Sequence, residues 1–129
     1  MKVNELRINN WYTSVKFGVP VQCELTDLSQ LCVMSDGAYN DPPIDEMFEP
    51  IELTEEWLLK FGFYRVENGY YGSMPYNKPC WIKFSFTILI WDDGTFVYDW
   101  NGGNTILKSV HQLQNLHFAL KGKELTIKS

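Results

Sequence analysis

The stretch "WIKFSFTILIWDDGTFVYDWNGG", residues 81 to 103, constrains the fold more than any other part of the chain. Its β-branched and aromatic residues read as strands, and Asp93-Gly94 reads as a two-residue type I′ turn between them. With that turn, Asp92 pairs with Thr95, Trp91 with Phe96, Ile90 with Val97, Leu89 with Tyr98 and Thr87 with Trp100. Alternation then puts Ile82, Phe84, Phe86, Ile88, Ile90 and Val97 on one face. Leu89, Trp91, Phe96, Tyr98 and Trp100 fall on the other. Both faces are apolar, so each must be covered. A terminal helix suits one face; the N-terminal segment, a helix at 54 to 61 or another subunit suits the second.

The flanking segments supply those layers. Residues 1 to 36 mix apolar and polar positions with turn signals at Asn9-Asn10 and Gly18 to Pro20, which predicts an antiparallel meander of SH3-like type. Within it, "VQCELTDLSQLCVMS" reads as a hairpin turning at Leu28-Ser29, with Cys23 opposite Met34. Residues 36 to 50 carry Gly37 and three prolines and read as a loop. In "LTEEWLLKFGF", Thr54 can cap a short helix, Glu55 and Glu56 suit its positive end, and Gly62 can end it. Asn68-Gly69 signals a further hairpin turn.

The last helix is predicted from a Ser109 cap to Gly122, and "ELTIK" from a final strand. At about 100° per residue, Leu113, Leu116 and Leu120 form an apolar stripe at about 240–300° from Val110. The expected fold is α+β, a single domain over residues 1–129: an antiparallel sheet with the N-terminal SH3-like β-meander, one short central helix and a C-terminal docking helix.

Composition supports an ordered core and narrows the function. Of 129 residues, 45% are hydrophobic and 16% aromatic, shares that separate the chain from disordered sequences. Cys23, Cys32 and Cys80 form no Cys-x-x-Cys pair, and buried thiols are the expected reading. "MKVNELRINNW" lacks a signal-type apolar run and no membrane-length stretch occurs, so the expected setting is cytoplasmic, without a membrane partner. The net charge of −5 argues against nucleic acid. The charge is uneven: Asp41 to Glu56 carries seven acids and no base, while Lys108, Lys121, Lys123 and Lys128 stand against Glu124 near the end.

No phosphate loop, nucleophile elbow or His-Glu-x-x-His helix occurs, and no catalytic residue, cofactor or metal is expected. Asp92, Asp93 and Asp99 are the carboxylates nearest the aromatic strands, but the turn and the sheet edge account for them. His111 and His117 lie six residues apart, at about 100° and 340° on the wheel, and cannot readily share one ion. His111, Asn115 and Phe118 cluster on the side predicted to face outward, a candidate recognition patch. Trp91, Phe96, Tyr98 and Trp100 form a second candidate surface, resembling the stacking platforms of single-strand binders but without interleaved basic residues.

Three stretches, "ELRINNW" at 5–11, "IELTEEWLLKFGF" at 51–63 and "VHQLQNLHFALKGKELTI" at 110–127, resemble a set of small proteins encoded by gut Bacteroidales and their prophages or mobile elements. Asn9 stands where that set commonly has Gly, and the ending "LKGKEL" is more basic than usual. The resemblance implies a phage-like accessory protein and no established activity. The leading expectation is a non-enzymatic module that binds a protein partner or itself. The alternatives are an acidic nucleic-acid mimic that inhibits a host enzyme, and a small hydrolase built on Asp92, Asp99 and His111.

Overall fold

The computed structural model describes residues 7–24, 48–67, 70–71, 74–75, 78–84, 86–100 and 103–127. They form an α+β fold with antiparallel sheets. Strands β1 (Trp11–Ser14), β2 (Pro20–Gln22) and β3 (Phe48–Glu49) make one sheet in the order β2-β1-β3. Helix α1 (Glu55–Lys60) leads to β4 (Tyr64–Val66) and to a ribbon of β5 (Tyr70–Tyr71) with β6 (Met74–Pro75). Strands β7 (Cys80–Lys83), β8 (Phe86–Ile90), β9 (Phe96–Trp100) and β10 (Gly103–Leu107) follow as a meander, with β4 against β7 at one edge. Helix α2 (Val110–Lys121) closes the fold. The predicted hairpin from Cys23 to Met34 and the Asn68-Gly69 turn fall outside the described residues, wholly or in their decisive parts. Among the described residues β4 pairs with β7, and β5 with β6.

The central hairpin differs from the sequence expectation by one residue. Ile90 pairs with Phe96, Leu89 with Val97 and Ile88 with Tyr98, rather than Ile90 with Val97. The loop holds three residues, Asp92 to Gly94, because the Trp91 N–H donates to the Thr95 carbonyl (2.9 Å) and the Gly94 N–H to the Trp91 carbonyl (2.8 Å). Gly94 takes φ 88°, the left-handed conformation that lets a three-residue loop rejoin the ladder. Asp93 Oδ1 accepts from the Thr95 N–H, and this bonding with Thr95 holds its carboxyl below the usual range.

This shift redistributes the faces. Phe86, Ile88, Ile90, Phe96 and Tyr98 share the core side, while Cys80, Leu89 and Val97 share the other, where all three are buried. Phe84 is not a strand residue: it sits in the β7–β8 turn at φ 53° with its side chain exposed.

Helix α1 forms where the sequence places it. The Thr54 hydroxyl accepts from the Trp57 N–H (3.5 Å). At the other end the Phe63 N–H reaches the Leu58 carbonyl and the Gly62 N–H the Leu59 carbonyl, both at 3.0 Å, with Gly62 at φ 89°. That double bond pattern is a Schellman motif, and Leu58 and Phe63 both enter the core beside it. Trp57, Leu58, Phe61, Trp81, Phe86, Ile88, Val110 and Leu113 form the main cluster. Each such side chain contributes about 1.5–3 kcal/mol by leaving water.

Two expectations for the C-terminus are corrected. Residues 124–127 form no strand; instead Leu125 turns inward to join the core. The buried side of α2 also differs from the leucine stripe. Val110, His111, Leu113, Gln114 and His117 are buried, whereas Leu120 is exposed. The helix packs against the five-stranded sheet and also against β1, so its polar residues are needed inside.

Gly94 tests the observed turn. A Cβ there meets nothing within 4 Å, so the cost of Gly94→Ala is conformational. Thermal or urea unfolding should show a loss of about 1 kcal/mol for Gly94→Ala and a smaller loss for Gly94→Asn, which tolerates positive φ.

Candidate functional site

The side of α2 predicted to face outward is turned against the N-terminal sheet. His111 is 1% exposed and packs on Tyr12 with ring centroids 5.1 Å apart. Asn115 Oδ1 accepts from Asn10 Nδ2 (2.6 Å) and from Arg7 Nη1 (2.9 Å). Arg7 also pairs with Glu124, and its guanidinium lies 4.3 Å above the Phe118 ring. Phe118 alone of the three keeps a large exposed surface.

Gln114 completes this junction. Its Oε1 accepts from the Trp11 N–H (2.8 Å) and its Nε2 donates to the Asn9 carbonyl (3.3 Å). Strand β2 pairs with Trp11 on one side, while β3 on the other reaches only Thr13 and Ser14, so on that side the Gln114 amide acts in place of a strand for Trp11. Asn9 adopts φ 74°, the left-handed turn that Asn tolerates. Gln114 and Asn10 are both 0% exposed; Gln114 is bonded at both ends of its amide, which lets it be buried at modest cost, whereas Asn10 is bonded through Nδ2 and its Oδ1 has no partner among the described residues.

The second sequence candidate divides between core and surface. Phe96 and Tyr98 pack against the core, Tyr98 stacked on Phe86 at 4.5 Å. Trp91 is part-exposed beside a shallow groove of about 590 Å³ that Asp93, Ile106 and Lys108 also line. The Trp100 and Asp99 side chains lie outside the described residues; Asp99 pairs with Asn104 in the ladder. Asp92 is exposed and bound to Lys78 (2.9 Å), whereas His111 is buried.

Of the acidic run, Asp41, Asp45 and Glu46 fall outside the described residues. Glu55 pairs with Arg65 and Glu56 with Lys60. Cys23 and Cys80 are buried thiols, and burial pushes the Cys80 thiol up; Cys32 is outside the described residues. Among the described residues no group of three His, Cys, Asp or Glu side chains could hold a metal ion. None of their helices is long and apolar enough to cross a membrane.

A site that sequence reasoning missed lies where the β7–β8 turn meets the end of α2. Lys83, Phe84, His117, Lys121, Lys123 and Glu124 line a pocket of about 310 Å³. Lys83 is positioned by α1: its Nζ donates to the Phe61 carbonyl at 2.6 Å, at the negative end of the helix. His117 packs on Phe86 and its Nδ1 lies 2.9 Å from the Lys123 carbonyl. A carbonyl only accepts, so Nδ1 carries the proton and Nε2 is the acceptor of the neutral ring. Burial pushes the imidazole below its ordinary value; the Lys123 carbonyl and Glu124 oppose the shift, while Lys83 and Lys121 add to it.

Comparison of the chain with protein-family models, with curated proteins and with solved structures returns no match.

The His117 environment has a measurable consequence. Its folded value lies below the unfolded value of about 6.5, so the unfolded chain binds the extra proton first. The stability contributed by the neutral ring is whole above about pH 6.5 and is lost progressively as pH falls toward the folded value. NMR titration should place the His117 midpoint below about 6.5. His117→Gln should remove this component of the slope in a stability-against-pH series.

Proposed function

We propose that this chain is a non-enzymatic interaction module that engages a protein partner. The observation that carries the reading is the β1–β2 turn, where Val15, Phe17 and Val19 are all exposed and Phe17 reaches 68%. The turn is tightly built: the Ser14 N–H donates to the Val19 carbonyl (2.9 Å), the Gly18 N–H to the Ser14 carbonyl (2.7 Å), and the Phe17 N–H to the Ser14 hydroxyl (3.2 Å). Lys16 lies 5.3 Å from the Phe17 ring. Three large apolar side chains on a bonded tip lose little freedom when a partner covers them, so their burial converts efficiently into affinity.

The placement of the polar residues agrees with a binding role. His111 and Asn115 are spent on joining α2 to β1, and Asp92 on an exposed ion pair. An accessory role, as the resemblance to mobile-element proteins implies, belongs to the same reading, as does the cytoplasmic setting expected from the sequence.

Affinity capture from an extract of the producing cell, followed by mass spectrometry, tests the proposal. A protein retained by the wild type should be lost at least about tenfold from Phe17→Ser/Val19→Ser, a change at exposed sites expected to leave unfolding within about 0.5 kcal/mol. Equal retention by the tip variant, or substrate turnover that depends on His111, would contradict it.

A further inference from the structure

The pocket between the β7–β8 turn and α2 is separate from the β1–β2 tip, and its chemistry points to another kind of ligand. Lys83, Lys121 and Lys123 line it, with Glu124 as the one acidic side chain among the described lining residues. Glu124 is itself paired with Arg7. The balance of the described lining is therefore cationic, on a chain whose net charge is −5. Lysines are flexible point charges without the planar fork that Arg offers a carboxylate, and they suit a compact, multiply charged anion such as phosphate.

His117 forms part of the lining although the residue is 6% exposed. With Nδ1 committed to the Lys123 carbonyl, no other described group bonds the ring through Nε2. An anion near Nε2 would favour its protonation, converting the acceptor to a donor aimed at the ligand. The groups that set this response are Lys83 from β7, Lys121 from α2, and Lys123 and Glu124 from the segment that follows.

Phe84 supplies the second half of the argument. It is 90% exposed at φ 53°, a conformation that bulky residues rarely adopt and that Asn or Gly would accept with less strain. A large ring held outside the core at the lip of a cationic pocket offers a face for a planar group to stack on. At about 310 Å³ the cavity is at the small end of ligand pockets, which run from about 300 to 1,000 Å³.

We propose that this pocket binds a small phosphorylated ligand bearing a planar ring, with the phosphate among Lys83, Lys121 and Lys123 and the ring on Phe84. His117 senses the phosphate by taking up a proton. The site is independent of the protein-partner reading, since none of its residues belongs to the β1–β2 tip.

Calorimetry and NMR with inorganic phosphate, adenosine and adenosine monophosphate separate the parts of this claim. Adenosine monophosphate should bind about tenfold more tightly than inorganic phosphate, and adenosine alone more weakly than the monophosphate by a similar factor. Lys121→Ser/Lys123→Ser, at two exposed positions, should weaken both anions at least about tenfold. Phe84→Asn keeps a residue that tolerates the turn and should abolish the advantage of the monophosphate over inorganic phosphate while leaving phosphate binding intact. Saturation with the monophosphate should raise the His117 midpoint in an NMR titration.

The proposal is overturned by absence of saturable binding up to about 10 mM of either anion, or by equal binding to the double lysine variant. Adenosine that binds as well as its monophosphate would remove the phosphate part. A monophosphate advantage that survives Phe84→Asn would remove the ring part.

Discussion

The arrangement depends on a buried amide junction. Gln114 projects from α2 to take the Trp11 N–H and to donate to the Asn9 carbonyl, and Asn115 gathers Asn10 and Arg7 on one oxygen. These bonds join the three-stranded sheet to the helix that also covers the five-stranded one. Leaving a buried amide unpartnered costs about 1–3 kcal/mol, so every bond at this junction penalises a displaced sheet. An apolar contact would tolerate sliding; donors and acceptors held at 2.6 to 3.3 Å tolerate far less. The Trp11–Trp57 contact at 5.6 Å continues the junction to α1, so both helices meet the N-terminal strand.

The junction explains why two stretches singled out in the sequence belong together. "ELRINNW" contributes Arg7, Asn9, Asn10 and Trp11, and "VHQLQNLHFALKGKELTI" contributes Gln114, Asn115, Phe118 and Glu124. They are far apart in the chain and touch in the fold. Sequence reading placed both segments but assigned His111 and Asn115 outward, because a helical wheel ranks positions by hydrophobicity and cannot see a second polar layer. Gln114 received no role for the same reason. The short helix was legible down to its cap and its Gly62 stop, since those signals are local.

The central hairpin shows where local signals run out. Asp93-Gly94 does mark the turn, but a two-residue and a three-residue loop share that dipeptide. The choice moves every side chain of β9 relative to β8. It decides that Phe96 and Tyr98 belong with Phe86 and Ile88 in the core, rather than opposite them. The cationic pocket is legible in the sequence only as an uneven charge distribution: Lys121 and Lys123 stand out near the end, while Phe84 is expected in a strand and Lys83 carries no signal of its own. Only the β7–β8 turn, with Phe84 forced to positive φ, brings them to His117.

Native-state hydrogen exchange at the Trp11 amide in wild type and Gln114→Leu tests the junction most directly. Removal of the Gln114 acceptor should lower protection at Trp11 and along β1 by about 10- to 100-fold, while amides of β8 and β9 keep their wild-type protection. Unchanged protection at Trp11, or an equal loss in β8 and β9, would contradict the claim that this amide holds the N-terminal sheet in place.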